Sequence, residues 1–442
     1  MVVLYLLVSV LIIIYLTARL KVHPFIALLL VALLYGFAAG MKPADIIKSV
    51  NEGFGNTLGG IGLIIILGVI IGAFLENSGG AYAIAEKVLR IIGKDKVPVA
   101  MGLIGWFVSI PVFADSGFLL LQPLNKSLSK KAKISLAGSS IALGLGLTAS
   151  HTMVPPTPGP IAASGILGAD LGLVLAVGIP ISIIALIAGI IFAKKYAAKT
   201  YIDPNPQISE EELNTRSINA PGAFKSSLPV VVPILLIVLK SFVKAFSGMN
   251  GLIVNFISFI GEPFIALLIG VILSLLLPKK LEKEMLSTSG WIGKSLSDAA
   301  SIILITGAGG IFGKVLQNSG IASVLGDTLA GLNLSIFLPF ILAAAIKTAQ
   351  GSSTVALITT ASIIAPLMDK LGFVDSIEKA MVVIAIGAGS AVVSHANDSF
   401  FWVITQMSNM DTKTGYRLQS LGTFIVGITA VAALSIVHLF LA

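Results

Sequence analysis

Apolar residues run along this chain in long blocks rather than on one alternating face: 2–16, 25–41, 58–75, 171–192, 228–246, 252–277, 302–316 and 421–442. A helix that is apolar all round belongs in a core or in lipid, and about 20 such residues cross the hydrocarbon layer of a membrane. The blocks therefore predict spanning helices. Residues 134–150 and 380–394 predict two more, each running into a polar cluster at its C-terminal end. The first block has no basic segment ahead of it and no small-residue cleavage site after it, so a retained helix is expected rather than a signal peptide. Two stretches break the pattern. Residues 97–124 are interrupted by Pro111 and by Phe113-Ala114-Asp115-Ser116-Gly117, and residues 336–367 by Gln350-Gly351-Ser352-Ser353-Thr354. Each has two short apolar arms around a small polar tip, the pattern of a re-entrant hairpin. Irregular backbone at membrane depth is tolerated only where it lines a protein cavity.

The two halves of the chain resemble each other. At an offset of 241, nine of the eighteen positions in 64–81 are identical to those in 305–322, including Gly68/Gly309, Gly72/Gly313 and Asn77-Ser78-Gly79/Asn318-Ser319-Gly320. Ser150-His151 falls on Ser394-His395 at an offset of 244, and the hairpins lie between these anchors in both halves. Five spans and one hairpin per half is an odd number of crossings, so the halves are expected to be inverted. The expected organisation is a first membrane repeat at 1–193, a cytoplasmic linker at 194–227 containing Glu210, Glu211, Glu212 and Arg216, and a second, inverted repeat at 228–442. Interrupted hydrophobic segments at matching places in two halves point to a secondary transporter and its binding site.

Composition narrows the possibilities. Only 11% of the 442 residues are charged and 56% are hydrophobic. A soluble domain carries about 25% charged residues, so a soluble enzyme, a nucleic-acid binder and a disordered chain are excluded. The net charge is +8, and with the N-terminus outside, 21 of the 29 lysines and arginines fall in cytoplasmic loops, among them Lys94, Lys130, Lys131, Lys194 and Lys280. That bias favours ten spans with both termini outside the plasma membrane of a bacterium or archaeon and the linker inside. There is no cysteine, and the four histidines lack metal-site spacing, so no metal or cofactor is expected. No Gly-x-Ser-x-Gly or His-Glu-x-x-His motif suggests an enzyme.

Four polar clusters interrupt the apolar sequence: Asp115-Ser116-Gly117; Thr148 to Pro160, with Ser150, His151, Thr152 and Thr157; Gly351-Ser352-Ser353-Thr354; and Ser394-His395-Ala396-Asn397-Asp398-Ser399. Pro155, Pro156, Pro158 and Pro160 cannot continue a helix, because each lacks an N–H and clashes with the preceding turn. Broken helices present unpaired N–H groups and small hydroxyls, and a helix N-terminus attracts anions. The clusters, joined by Lys347 four residues before Gly351, therefore suit a small hydroxylated organic anion. Asp115, Asp398, His151 and His395 are the candidates to carry a coupling proton, since an ionisable group inside a membrane is a functional candidate by default. Lys347 can equally extend to the headgroups.

These residues resemble the gluconate:proton symporter (gluconate permease) family of the ion-transporter superfamily. The resemblance rests on Phe25-Ile26-Ala27-Leu28, Gly79-Gly80-Ala81, the His151-to-Pro160 stretch, Gly261-Glu262-Pro263, Gly351 to Ala356, and Ser394 to Trp402. It implies an all-α polytopic membrane protein of two inverted repeats, each with about five transmembrane helices, a hairpin and a broken helix. It implies a homodimer with a scaffold part and an elevator-type transport part. It also implies uptake of gluconate or a related sugar acid with a proton. The alternative on the same fold is sodium-coupled carriage of a dicarboxylate, glycerate or D-serine.

Overall fold

The computed structural model describes residues 2–93, 96–204, 220–246, 252–320 and 334–441. Lys94, the linker residues 205–219, Ala322 and Ala442 lie outside them. The described residues are mostly helical, with no strand among them. The helices are α1 (Val2–Ile14), α2 (Pro24–Ala38), α3 (Pro43–Asn77), α4 (Gly80–Ile92), α5 (Val97–Val108), α6 (Ala114–Lys131), α7 (Leu136–Met153), α8 (Pro158–Leu167) and α9 (Leu171–Lys195). The second half contains α10 (Ala223–Phe246), α11 (Leu252–Ile260), α12 (Pro263–Leu275), α13 (Trp291–Asn318), α14 (Phe337–Gln350), α15 (Ser353–Ile364), α16 (Ser376–Ala391), α17 (Ser399–Met407) and α18 (Leu421–Leu441).

The apolar blocks located most helices but not their lengths. The block at 58–75 is only the C-terminal part of the 35-residue α3, and α13 likewise begins eleven residues before the block at 302–316. Their N-terminal turns mix charged and apolar residues, so hydropathy alone missed them. They are held because α3 and α13 pack along each other, so close that Gly53 of α3 touches Gly310 of α13. The block at 252–277, read as one span, is two helices bent by 63°. Pro263 opens α12, and Glu262 accepts a hydrogen bond from Lys240 Nζ at 2.5 Å, tying the bend to α10. Among the described residues, five helices are long and apolar enough to cross a membrane singly, or six if this bent pair counts as one span.

Both broken stretches have the expected arm–break–arm form. The first break lies slightly earlier than expected. Residues 109–113 separate α5 from α6, and Asp115, Ser116 and Gly117 form the first turn of α6. Pro111 sets this position, since it cannot continue α5, and its carbonyl lies against Gly72 of α3, where a Cβ would be 2.1 Å away. The second break falls at Gly351–Ser352, as expected. The proline cluster ends α7 at Met153 and opens α8 at Pro158.

The centre of the molecule is α7. Every residue of it except His151 is buried. Its Ala, Gly and Ser residues let neighbours approach closely, which is how helices associate where hydrophobicity supplies no preference. Gly146 is the tightest point: a Cβ there would lie 2.1 Å from the carbonyl of Gly102 on α5. Gly146→Val should therefore force α5 away from α7 at a cost of about 1–3 kcal/mol or more. A lowered melting temperature in detergent and a lower folded yield are expected. Gly59→Ala on α3, where a Cβ would meet nothing within 4 Å, should leave the melting temperature unchanged or raise it by the equivalent of about 1 kcal/mol at most.

Candidate functional site

Three helices begin at one place. α6 starts after Phe113, α15 after Ser352, and α17 after Asp398. Each start follows a break dictated by local sequence. Ser352 Oγ accepts the N–H of Val355 at 3.3 Å, and Asp398 Oδ1 accepts the N–H of Phe400 at 3.0 Å, so both are side-chain N-caps. The C-terminal turns of α7 and α14 complete the wall of a cavity of about 330 Å³, lined by Phe113, Ala114, Asp115, Thr148, His151, Thr152, Lys347, Gln350, Gly351, Ser352, Ser353, Thr354, Ala391, Ser394, Asn397, Asp398, Ser399 and Phe400.

The first-turn N–H groups of a helix have no acceptor within it. Three N-termini on one cavity therefore make a site suited to an anion. The charged groups on its wall, among the described residues, are Lys347, Asp398 and Asp115. Lys347 is buried rather than extended to the headgroups. Its ammonium donates to the carbonyl of Gly351 and to Asp398 Oδ2 at 2.7 Å. The two side chains are 2% and 9% exposed. Asp398 also accepts from Ser394 Oγ at 2.5 Å. With Lys347, Ser394 and the Phe400 N–H all donating to it, its charge is fully compensated. Asp115 is different: the hydrogen bond it receives comes from Ser399 Oγ, at 3.2 Å.

The wall also carries neutral polar groups. Thr148 and Thr152 hydroxyls donate to carbonyls one turn back on α7, and Ser353 Oγ donates to the Ser390 carbonyl at 2.8 Å. Among the described residues, Thr354 has no side-chain hydrogen bond within the protein, and Asn397 Oδ1 and His151 Nδ1 are buried without a partner. With no acceptor at its buried Nδ1, the imidazole is best satisfied with its single proton on Nε2.

Of the residues singled out from sequence, the cavity brings together Asp115, Thr152, His151, Lys347, Gly351, Ser352, Ser353, Thr354, Ser394, Asn397 and Asp398. Ser116, Gly117, Ser150, Thr157 and His395 are not on its wall. Gly117 packs toward Leu147, and Thr157 donates to the Val154 carbonyl at 2.7 Å. His395 Nε2 donates to the Thr348 carbonyl at 2.7 Å, a carbonyl that Asn397 Nδ2 shares at 2.9 Å. Both bonds fasten the break before α17 to the end of α14. Sequence reasoning missed Gln350, Phe113 and Phe400 as lining residues. It also missed a buried polar strip on the C-terminal half of α6, where Gln122 donates to Ser140 and Ser408 and Asn125 donates to Gln122. The spacing Gln122, Asn125, Ser129, along one face of the helix, was the available signal.

Comparison with known proteins agrees with this architecture. The family described as GntP family permease matches residues 1–440. A gluconate permease of Pseudomonas aeruginosa is 34% identical over 98% of this chain and 97% of its own length. An uncharacterized permease of Haemophilus influenzae is 36% identical over 92% of this chain and 86% of its own, and the D-serine transporter DsdX of Escherichia coli is 30% identical over 97% and 96%. Among solved structures, the YdaH transporter of Alcanivorax borkumensis has the same fold, with a TM-score of 0.69 over 95% of this chain and 98% of that one at 12% identity. With these matches over nearly its whole length and its many apolar helices, the chain belongs to the GntP permease family: it is a multi-pass membrane transport protein, not an enzyme.

Proposed function

We propose that this permease takes up gluconate or a related small sugar acid together with a proton. The observation that carries the reading is the cavity at which α6, α15 and α17 begin, with a compensated Lys347–Asp398 pair and a second carboxyl, Asp115, on the same wall. The substrate carboxylate meets the first-turn N–H groups of α15 and the Thr354 hydroxyl. A buried carboxylate needs several such donors. Its hydroxyls meet Asn397 Oδ1 and His151 Nε2. The volume of about 330 Å³ suits a small organic acid of this kind. The gluconate permease of Pseudomonas aeruginosa supports the substrate class, and the relative named for D-serine in Escherichia coli is the reason for including that hydroxylated amino acid in the test.

Asp115 is the proton carrier in this reading. An arriving anion stands beside its carboxylate, and a proton on Asp115 removes the like-charge repulsion. Asp398 is the less suitable carrier, because its oxygens already accept from Lys347, Ser394 and the Phe400 N–H. His395 is engaged by Thr348, and a second proton on His151 would bury an N–H without an acceptor. The same reading takes the halves 1–193 and 228–442 as inverted repeats around the cytoplasmic linker 194–227, with both termini outside. The like order of α5–break–α6 and α14–break–α15, and of α7–α8 and α16–α17, supports it. The carrier then works as a homodimer with a scaffold part and a moving transport part.

Two outcomes test the reading in proteoliposomes with labelled gluconate and a panel of hydroxy acids including D-serine. A one-unit inward pH gradient carries about 1.4 kcal/mol per proton, enough for about tenfold accumulation. Wild-type protein should accumulate substrate under that gradient in sodium-free buffer, whereas Asp115→Asn should lose accumulation and keep exchange at equal pH. Undiminished accumulation by Asp115→Asn would move the proton site elsewhere. Thr354→Val removes one hydroxyl from the carboxylate end, and loss of a hydrogen bond to a charged group is worth about 1.5–3 kcal/mol. A rise of at least about tenfold in the substrate Kd is expected, with normal folded yield; an unchanged Kd would refute the assigned pose.

A further inference from the structure

The buried ammonium of Lys347 sits in a setting that is itself informative. Lys347 precedes the end of α14 by one helical turn, so its side chain reaches the tip that follows. There the ammonium donates to the Gly351 carbonyl and, across the cavity wall, to Asp398 Oδ2 at 2.7 Å, an oxygen that also accepts from Ser394. Both acceptors belong to interrupted backbone: one is a carbonyl just past the C-terminal end of a short helix, the other a carboxylate at the break before α17. Carbonyls and C-terminal ends of broken helices are the groups that hold small cations at membrane depth, and the C-terminal end of α14 adds its own negative partial charge.

We infer that the Lys347 ammonium is a tethered cation, filling an oxygen site that would otherwise take a free alkali-metal ion. A cation built into the chain at this place makes sodium unnecessary for assembling the cavity. It also explains why a buried lysine is paired here, when two of its three donors are thereby withdrawn from any substrate. The inference rests on the proton-coupled reading for its meaning in transport, but the site can be tested without substrate.

Removing the side chain leaves Asp398 buried with no cation, which is strongly destabilising, and opens space beside it. Purified wild type, Lys347→Ala and the double variant Lys347→Ala/Asp398→Asn are compared by melting temperature and folded yield. The salts are choline, potassium, sodium, lithium and methylammonium chloride at one ionic strength. Wild type should not distinguish the salts. Lys347→Ala should be less stable than wild type in choline and regain about 3 °C or more in at least one small cation, as expected for a ligand that binds only the folded state. The double variant should lose that response, because the carboxylate is gone. Equal stability of Lys347→Ala in all five salts, or a sodium response in wild type, overturns the inference. Should Lys347→Ala give no folded protein in any salt, Lys347→Gln is taken through the same series. Absence of a cation-specific difference there also overturns it. A cation response together with failure of wild-type protein to accumulate any sugar acid would leave the site standing and remove the transport reading instead.

Discussion

Inside a membrane a backbone N–H or carbonyl has no water to turn to, and every unpaired group costs several kcal/mol. That constraint organises this molecule. The backbone is broken at 109–113, at 154–157, at Gly351–Ser352 and at 392–398, and these segments are gathered around one polar cavity or its immediate supports. Where groups are freed, donors or acceptors are supplied locally. The Thr348 carbonyl receives His395 and Asn397, the Gly351 carbonyl receives Lys347, and the Ser394 N–H donates to Thr423 while Ser420 donates to the Ser394 carbonyl. The starts of α6, α15 and α17, whose first-turn N–H groups have no acceptor within the helix, border the cavity, where an anion can use them.

Close packing then holds those breaks in place. α7 runs through the centre with Gly146 against the backbone of α5, and the Pro111 carbonyl rests on Gly72 of α3. Such backbone-to-backbone contacts need the absence of a side chain, which accounts for part of the chain's 45 glycines. The cavity wall is thereby assembled from both halves of the chain. Asp115 of the first half accepts from Ser399 of the second, and Gln122 of α6 donates to Ser408 beyond α17.

Charge is balanced sparingly. An ammonium and a carboxylate buried side by side are tolerated because each has further partners. Asp115 keeps a single hydroxyl as donor among the described residues. The contrast is between a carboxyl held by an ammonium, a hydroxyl and an N–H and one held by a single hydroxyl. It depends on which neighbours each carboxyl meets, not on residue type.

Much of this was legible in the chain itself. Long apolar blocks specify spanning helices because lipid accepts nothing else, and prolines and Gly-Ser tips specify breaks because they cannot continue a helix. The four polar clusters pointed to the breaks in the helices, and eleven of the sixteen residues singled out from them and from Lys347 line the cavity. Sequence could not assign the partner of Lys347. Headgroups and an internal carboxylate are equally open to a flexible lysine, and only packing carries its ammonium to Asp398, 51 residues away. Nor could it separate His151, on the wall, from His395, turned to a carbonyl of α14. The extra turns of α3 and α13 and the bend at Glu262 were likewise hidden from hydropathy, because helix–helix contact and a lysine on a neighbouring helix decide them. Local chemistry determined which segments span and where they break; which freed groups face the cavity was decided by the long-range packing that brings the breaks together.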